Sequence, residues 1–226
     1  MVPAQTRYQL YIKERRPDLW KFLDQPSHPL NTVWPEFLDQ DPSYQCYEDK
    51  LCQYQAFARF QFILVEVSSN GEQSIVACSR SVPFFWPELH HFGGRDAPAA
   101  NSEIWNAVPD GGYDSILAQG VEQYLFREGL PPLSEPLTED QLNDVSSWQR
   151  CEPPNALSVL LIVVRLARRS QGLAEIMITA MKQVAMDEKL ELLVVPFKAH
   201  PKTILFFQRH GRLHLLVPNK NLTWRT

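Results

Sequence analysis

The chain has 226 residues, 44% of them hydrophobic and 21% charged, with a formal net charge of −4. That composition is ordinary for a soluble globular protein, and no apolar run approaches the roughly 20 residues that a membrane-spanning helix needs. The length suits one sizeable core, so residues 1–226 are expected to form a single domain.

The opening Met1-Val2-Pro3-Ala4-Gln5 lacks a charged segment followed by an apolar stretch, so a cytoplasmic protein is expected. Cys46, Cys52, Cys78 and Cys151 show no CxxC pair and fit a reducing compartment. Cys46, Cys52, His90 and His91 match no structural zinc spacing, and no metal is expected. The net charge hides a gradient. Residues 1–164 carry 11 Lys/Arg against 22 Asp/Glu, a net −11, and residues 165–226 carry 11 against 4, a net +7. The basic quarter is expected to meet an anion. The acidic remainder would repel a phosphate backbone and no aromatic stripe accompanies the basic residues, so a small polyanion is favoured over nucleic acid.

In chain order, Pro17 to Leu23 predicts a short helix and Trp34 to Leu38 another, with Pro35 suited to a first turn. Ala58, Phe60, Phe62 and Leu64 alternate with Arg59, Gln61, Ile63 and Val65, which predicts a strand. Asn70-Gly71 then predicts a hairpin turn before a return strand at Ser74 to Cys78. Residues 81–114 read as loop, and Tyr113 to Phe126 has helical spacing, with Ile116, Leu117, Val121, Tyr124 and Leu125 on one side. Residues 129–154 are Pro-rich and acidic, an exposed excursion with a short helix at Glu139–Val145.

Leu157–Val164 is a nearly continuous apolar run, which predicts a central strand buried on both faces. After Arg165–Gly172 comes a helix whose stripe is Leu173, Ile176, Met177, Ala180, Met181 and Val184. Leu190–Val195 predicts a second strand. Strand, helix and strand at this length make a parallel βαβ unit.

The loop entering that helix carries Arg165, Arg168 and Arg169. A helix N-terminus is already partly positive, so arginines there call for an anion. Arg169-Ser170-Gln171-Gly172-Leu173-Ala174 is rich in small residues, which let backbone N–H groups approach a ligand. The combination describes a pyrophosphate cradle; solvated arginines beside a turn glycine are the alternative.

These six residues resemble the acetyl-CoA loop, [QR]-x-x-G-x-[GA], of the general N-acetyltransferase (GNAT) superfamily. Trp34-Pro35-Glu36-Phe37, the Phe60–Cys78 hairpin, Val82 to Trp86, Pro109 to Asp114 and Asn155-Ala156-Leu157-Ser158 are similar to a subgroup of bacterial and fungal GNAT-like transferases. The resemblance covers roughly residues 15–200. It implies an α/β GNAT fold, a mixed and mostly antiparallel sheet around the βαβ unit, with acetyl-CoA or another acyl-CoA as co-substrate. Ile162, Val163 and Val164 would bond the pantetheine arm through their backbone. The amides of Arg169, Ser170, Gln171, Gly172, Leu173 and Ala174 would hold the pyrophosphate.

The catalytic groups are less defined. Where many members of the family keep an acidic Tyr after the second strand, this chain has Phe207, which has no proton to give. A thiolate leaves without an acid more readily than an alkoxide. No carboxylate lies within Leu157–Val164. Candidate bases are Glu152 before that strand, Glu66 in the hairpin, His90 and His91 in an aromatic loop, and His200 after the second strand. After Val195 only 31 residues remain, so the C-terminal part is expected to be shortened, and whether a second copy completes the sheet in a homodimer stays open.

Two functions are compatible with these residues. One is an enzyme transferring an acyl group directly to an amine or hydroxyl of a small molecule, with Phe84, Phe85, Trp86, Phe92 and Trp105 lining the acceptor pocket. The other is a catalytically degenerate CoA-binding module, regulatory or interacting, with residues 84–92 as a partner surface.

Overall fold

The computed structural model describes residues 7–31, 42–91, 113–133 and 148–195. Its strands are β1 (Arg7–Ile12), β2 (Phe62–Val67), β3 (Gln73–Phe84), β4 (Ala156–Val164) and β5 (Leu192–Val194). Its α-helices are α1 (Pro17–Leu23), α2 (Pro42–Gln53), α3 (Pro87–His91), α4 (Tyr113–Arg127) and α5 (Leu173–Asp187). One sheet runs in the order β1-β2-β3-β4-β5, antiparallel from β1 to β4 and parallel between β4 and β5. A parallel pair needs a crossover, which α5 supplies. This is the mixed α/β architecture expected of the GNAT fold.

Helices cover both faces of the sheet. On one face, Leu173, Met177, Met181 and Ala185 of α5 pack on Phe62, Leu64, Ala77, Leu157 and Val159. On the other, Leu19, Trp20 and Leu23 of α1 meet Ile63, Val65, Cys78 and Leu161. Beside them Tyr47 and Leu51 of α2 and Ile116, Leu117, Val121 and Leu125 of α4 cover Val82, Phe84, Ala156 and Leu160. Each large apolar side chain buried this way contributes about 1.5–3 kcal/mol, so β4, buried on both faces, is the strand the core is built around.

β4 carries a bulge. Arg80 faces Leu161 and Ser81 faces Val159, which leaves Leu160 as the extra residue. The insertion shifts the alternation. Leu157 and Val159 face α5 before it, Ile162 and Val164 face α5 after it, and Leu160 and Leu161 both pack on the opposite side. The irregularity lies where β4 leaves β5: their ladder holds only Ala156, Leu157 and Ser158 against Leu192, Leu193 and Val194. From Val159 to Val164 that edge of β4 has no strand partner among the described residues.

Several expectations needed correction. Residues 55–60 form a 3-10 helix (Gln55–Phe60), and the strand begins only at Phe62. The Gln61 side-chain amide donates to the carbonyls of Phe57 (3.1 Å) and Ser81 (2.9 Å), holding the turn against β3. β3 runs six residues beyond Cys78, through a stretch read as loop. Ser79 and Ser81 are fully buried there, and strand pairing rather than apolarity keeps that stretch extended. The face of α5 is also shifted, with Ile176 at the surface and Ile178 inside. β5 is three half-buried residues rather than six. β1 lies in a stretch without a clear sequence pattern and was not anticipated. The helices at Pro17–Leu23 and from Tyr113 match expectation. The turn at Asn70-Gly71 does too, with Gly71 at φ +83°. The helices expected at Trp34 to Leu38 and Glu139–Val145, and everything after Val195, lie outside the described residues.

Candidate functional site

At the C-terminal end of β4 the chain leaves the sheet, makes a short 3-10 turn (Leu166–Arg168) and enters α5. A cleft of about 430 Å³ opens there, lined by Ile162, Val163, Val164, Arg168, Arg169, Ser170, Gly172, Leu173 and Ala174. Eight of the nine residues expected to hold the cofactor line it. Gln171 does not, and Arg168 takes its place.

The backbone gives the cleft its chemistry. Ser170 and Gly172 have φ of +64° and +76°, and Gly172 is the N-cap of α5 without any side-chain cap. The amides of Ser170, Gln171, Gly172, Leu173 and Ala174 find no backbone acceptor among the described residues; the first bonds of the helix run from Glu175 and Ile176 to the Gly172 carbonyl. A row of free amides at a helix N-terminus attracts an anion. A Cβ built on Gly172 meets nothing within 4 Å, so the space in front of this turn is open. Above it lies the unpaired edge of β4. The residues therefore fit a diphosphate group with an extended amide-bearing arm, which is the chemistry of a CoA ester.

The three arginines behave differently. Arg165 turns away, its guanidinium donating to the Ser74 hydroxyl at 3.3 Å. Arg168 binds both carboxylate oxygens of Glu66, through Nε at 2.9 and 3.0 Å and Nη2 at 2.9 Å. This hydrogen-bonded ion pair raises the Arg168 pKa further above its ordinary range. Arg169 Nε donates to the Val164 carbonyl at 3.3 Å and its head is exposed. Gln171 faces the other way, accepting a bond of 2.9 Å from the Tyr8 hydroxyl. Tyr8 carried no signal in the sequence; only the sheet brings it to the loop.

The candidate bases scatter. Glu66 sits beside the cleft but is engaged by Arg168, which favours holding the loop over taking a proton. Glu152 is exposed before the first residue of β4, at the far end of the strand from the cleft. His90 and His91 close α3; His91 is exposed, and the His90 side chain lies outside the described residues. His200 and Phe207 lie outside them as well. Phe84, Phe85 and Trp86 are buried, with 2%, 6% and 2% of their surface accessible, and Phe84 and Trp86 belong to the core under α4. They are therefore neither a pocket lining nor a partner surface. Phe92 and Trp105 are outside the described residues. Among the described residues no three His, Cys, Asp or Glu side chains come together as a metal site.

One group escaped the sequence reading. The Ser158 hydroxyl, fully buried at the last rung of the β4–β5 ladder, has no hydrogen-bond partner among the described residues. A lone serine in an apolar run carries no signal of such a position.

No protein-family model matches the chain. Over 197 residues, 87% of its length, it is 30% identical to the arginine N-acetyltransferase avaD of Aspergillus versicolor. Those residues make up 54% of that protein, so the chain spans about half the length of this curated relative. A solved structure of the Drosophila melanogaster polyamine N-acetyltransferase, an enzyme that catalyses the formation of N-acetylagmatine, aligns over 91% of this chain and 82% of its own. It shares 17% identity with a TM-score of 0.41, too low to carry an argument. The similarity to avaD and the mixed sheet topology of the chain both accord with the GNAT resemblance read from its sequence.

Proposed function

We propose that this chain binds acetyl-CoA or a related acyl-CoA in the cleft at the head of α5 and promotes direct transfer of the acyl group to an amine of a small molecule. The observation that carries this reading is the pairing of two unsatisfied backbone rows, the amides of residues 170–174 and the edge of β4 beyond Ser158. The amide row would hold a pyrophosphate with the partial positive charge of α5 behind it. Val159 to Val164 would continue as the strand along which the pantetheine arm lies. The thioester supplies an activated carbonyl. The residues of the chain fix its position where β4 and β5 part, next to the bulge at Leu160.

The relative acts on arginine, which makes amino-acid amines the first acceptors to test. A net −11 over residues 1–164 suits a cationic acceptor. With Glu66 engaged by Arg168, the remaining candidates for accepting the amine proton are Glu152, His90, His91 and His200. Cys46, Cys52, Cys78 and Cys151 stand outside any disulfide, which accords with a reducing, cytoplasmic setting. Among the described residues no helix is long and apolar enough to cross a membrane.

Calorimetric titration with acetyl-CoA and with free CoA tests the site, and release of free thiol from acetyl-CoA across a panel of amines headed by arginine tests the reaction. Micromolar binding of both nucleotides with amine-dependent thiol release is the expected result. Binding without release for any amine or alcohol would reduce the chain to a CoA-binding module; a folded protein that binds neither nucleotide would overturn the reading.

A further inference from the structure

Tyr8 on β1 and Glu66 on β2 face each other in the antiparallel ladder. Facing side chains in such a ladder stand about 5 Å apart on one face of the sheet, so the two strands present a hydroxyl and a carboxylate side by side. Both are directed at the β4–α5 loop. The Tyr8 hydroxyl donates to Gln171 Oε1 at 2.9 Å, and the Glu66 carboxylate receives Arg168 through Nε and Nη2. We infer that this cross-strand pair is a latch that holds the acyl-CoA loop in its binding shape, with Tyr8 and Glu66 as positioning residues. The inference rests on the acyl-CoA reading of the cleft.

The loop needs such support. Arg168 and Gln171 bracket Arg169 and Ser170, and Ser170 has φ of +64°. A left-handed conformation costs a non-glycine residue about 1–2 kcal/mol, so the segment would relax if released. Relaxation would scatter the amides of residues 170–174, whose convergence is what an anion recognises. The two bonds pin the stretch that holds the left-handed Ser170 from both sides, across sequence separations of 102 and 163 residues. Arg168 alone would attract phosphate as a free guanidinium. Here its donors go to a carboxylate that is only 13% exposed, which spends charge to gain order.

The sign of the effect separates the latch from a mere neighbour. Glu66 is a negative charge beside a proposed anion site. As a bystander, its removal should tighten binding of a polyanion; as a latch, its removal should weaken it. The test titrates the full chain with CoA by calorimetry for wild type, Tyr8→Phe, Glu66→Gln and the double variant. The expected result is about a tenfold rise in Kd for each single variant, and less than the product of the two in the double, because both act on one element. The acetyl-CoA KM is expected to rise by the same factor, with kcat and the acceptor KM unchanged. Wild-type binding with equal or tighter CoA affinity in both single variants overturns the latch and leaves the site standing. A loss expressed in kcat or in the acceptor KM also overturns it. Failure of wild type to bind CoA removes the site itself, and the latch with it.

Discussion

Gly120 in α4 lies against Val82 in β3 so closely that a Cβ on the glycine would fall 2.5 Å from Val82 Cγ2 and 3.0 Å from the Pro83 carbonyl oxygen. In an exposed helix, alanine would be about 1 kcal/mol better than glycine. Here overpacking, typically about 1–3 kcal/mol, is the larger effect, because one of the obstacles is backbone. Gly120→Ala is expected to lose about 1–2 kcal/mol in urea unfolding. A gain in stability would mean that α4 stands further from β3.

Gly172 presents the opposite case. A side chain there has room but the wrong backbone, with φ of +76° and open space in front. Gly172→Ala should cost about 1 kcal/mol of stability from strain. Gly172→Asp adds a carboxylate in front of the free amides, where it would repel a phosphate and compete for the same donors. CoA affinity is expected to fall at least about 100-fold, or about 2.8 kcal/mol, in a protein that still folds. An unchanged Kd would place the pyrophosphate elsewhere.

Glu122 is a buried carboxyl on α4, accepting bonds from the Tyr47 hydroxyl at 2.9 Å and the Leu133 amide at 3.1 Å. Burial raises its pKa, with the two donors opposing the shift, and burial followed by the nearby carboxylate raises the Tyr47 pKa. The folded chain thus binds this proton more tightly than the unfolded chain. The contribution of the group is full below the ordinary carboxyl range and is lost as pH rises through the raised value. Glu122→Gln keeps an acceptor and removes the titration. Its stability relative to wild type should therefore improve between pH 4 and pH 8. Glu122→Ala leaves the Tyr47 hydroxyl and the Leu133 amide unpaired and should cost about 2–3 kcal/mol. Parallel pH profiles of wild type and Glu122→Gln would contradict the assignment.

Ser158 offers a variant expected to stabilise. Its buried hydroxyl has no partner among the described residues, and an unmet hydroxyl costs about 1–3 kcal/mol. Ser158→Ala should raise the unfolding midpoint by the equivalent of about 1 kcal/mol. A loss of stability would show that the hydroxyl is bonded in the folded protein.

The legible parts of this protein were those where one signal served both folding and function. Leu157–Leu161 are buried as the apolar run required, Ile162–Val164 only partly, and α5 had to be amphipathic to cover the strand. Between them the turn into α5 needed Gly172, whose φ is +76°. The extension of β3 was hidden because Ser79, Ser81 and Pro83 look like loop residues, although both serines are buried and stand opposite β4 residues in the ladder. Residues 55–60 misled in the other direction. Phe60 alternates with Phe62 as in a strand, yet the Gln61 side chain bonds the chain into a 3-10 turn. The bulge at Leu160 was invisible too, since apolar residues on either side of it suit both faces.

The sequence by itself determined the βαβ unit and the position of the glycine-bearing β4–α5 loop within it, because local periodicity and backbone requirements are written in consecutive residues. Tertiary structure alone decided which side chains serve that loop. Glu66 becomes the partner of Arg168 rather than an available base, and Tyr8 becomes the partner of Gln171, through pairings 102 and 163 residues apart. Phe84 and Trp86 likewise become core under α4. No local pattern encodes such contacts, since sheet register and helix packing bring the partners together only when the whole core has formed.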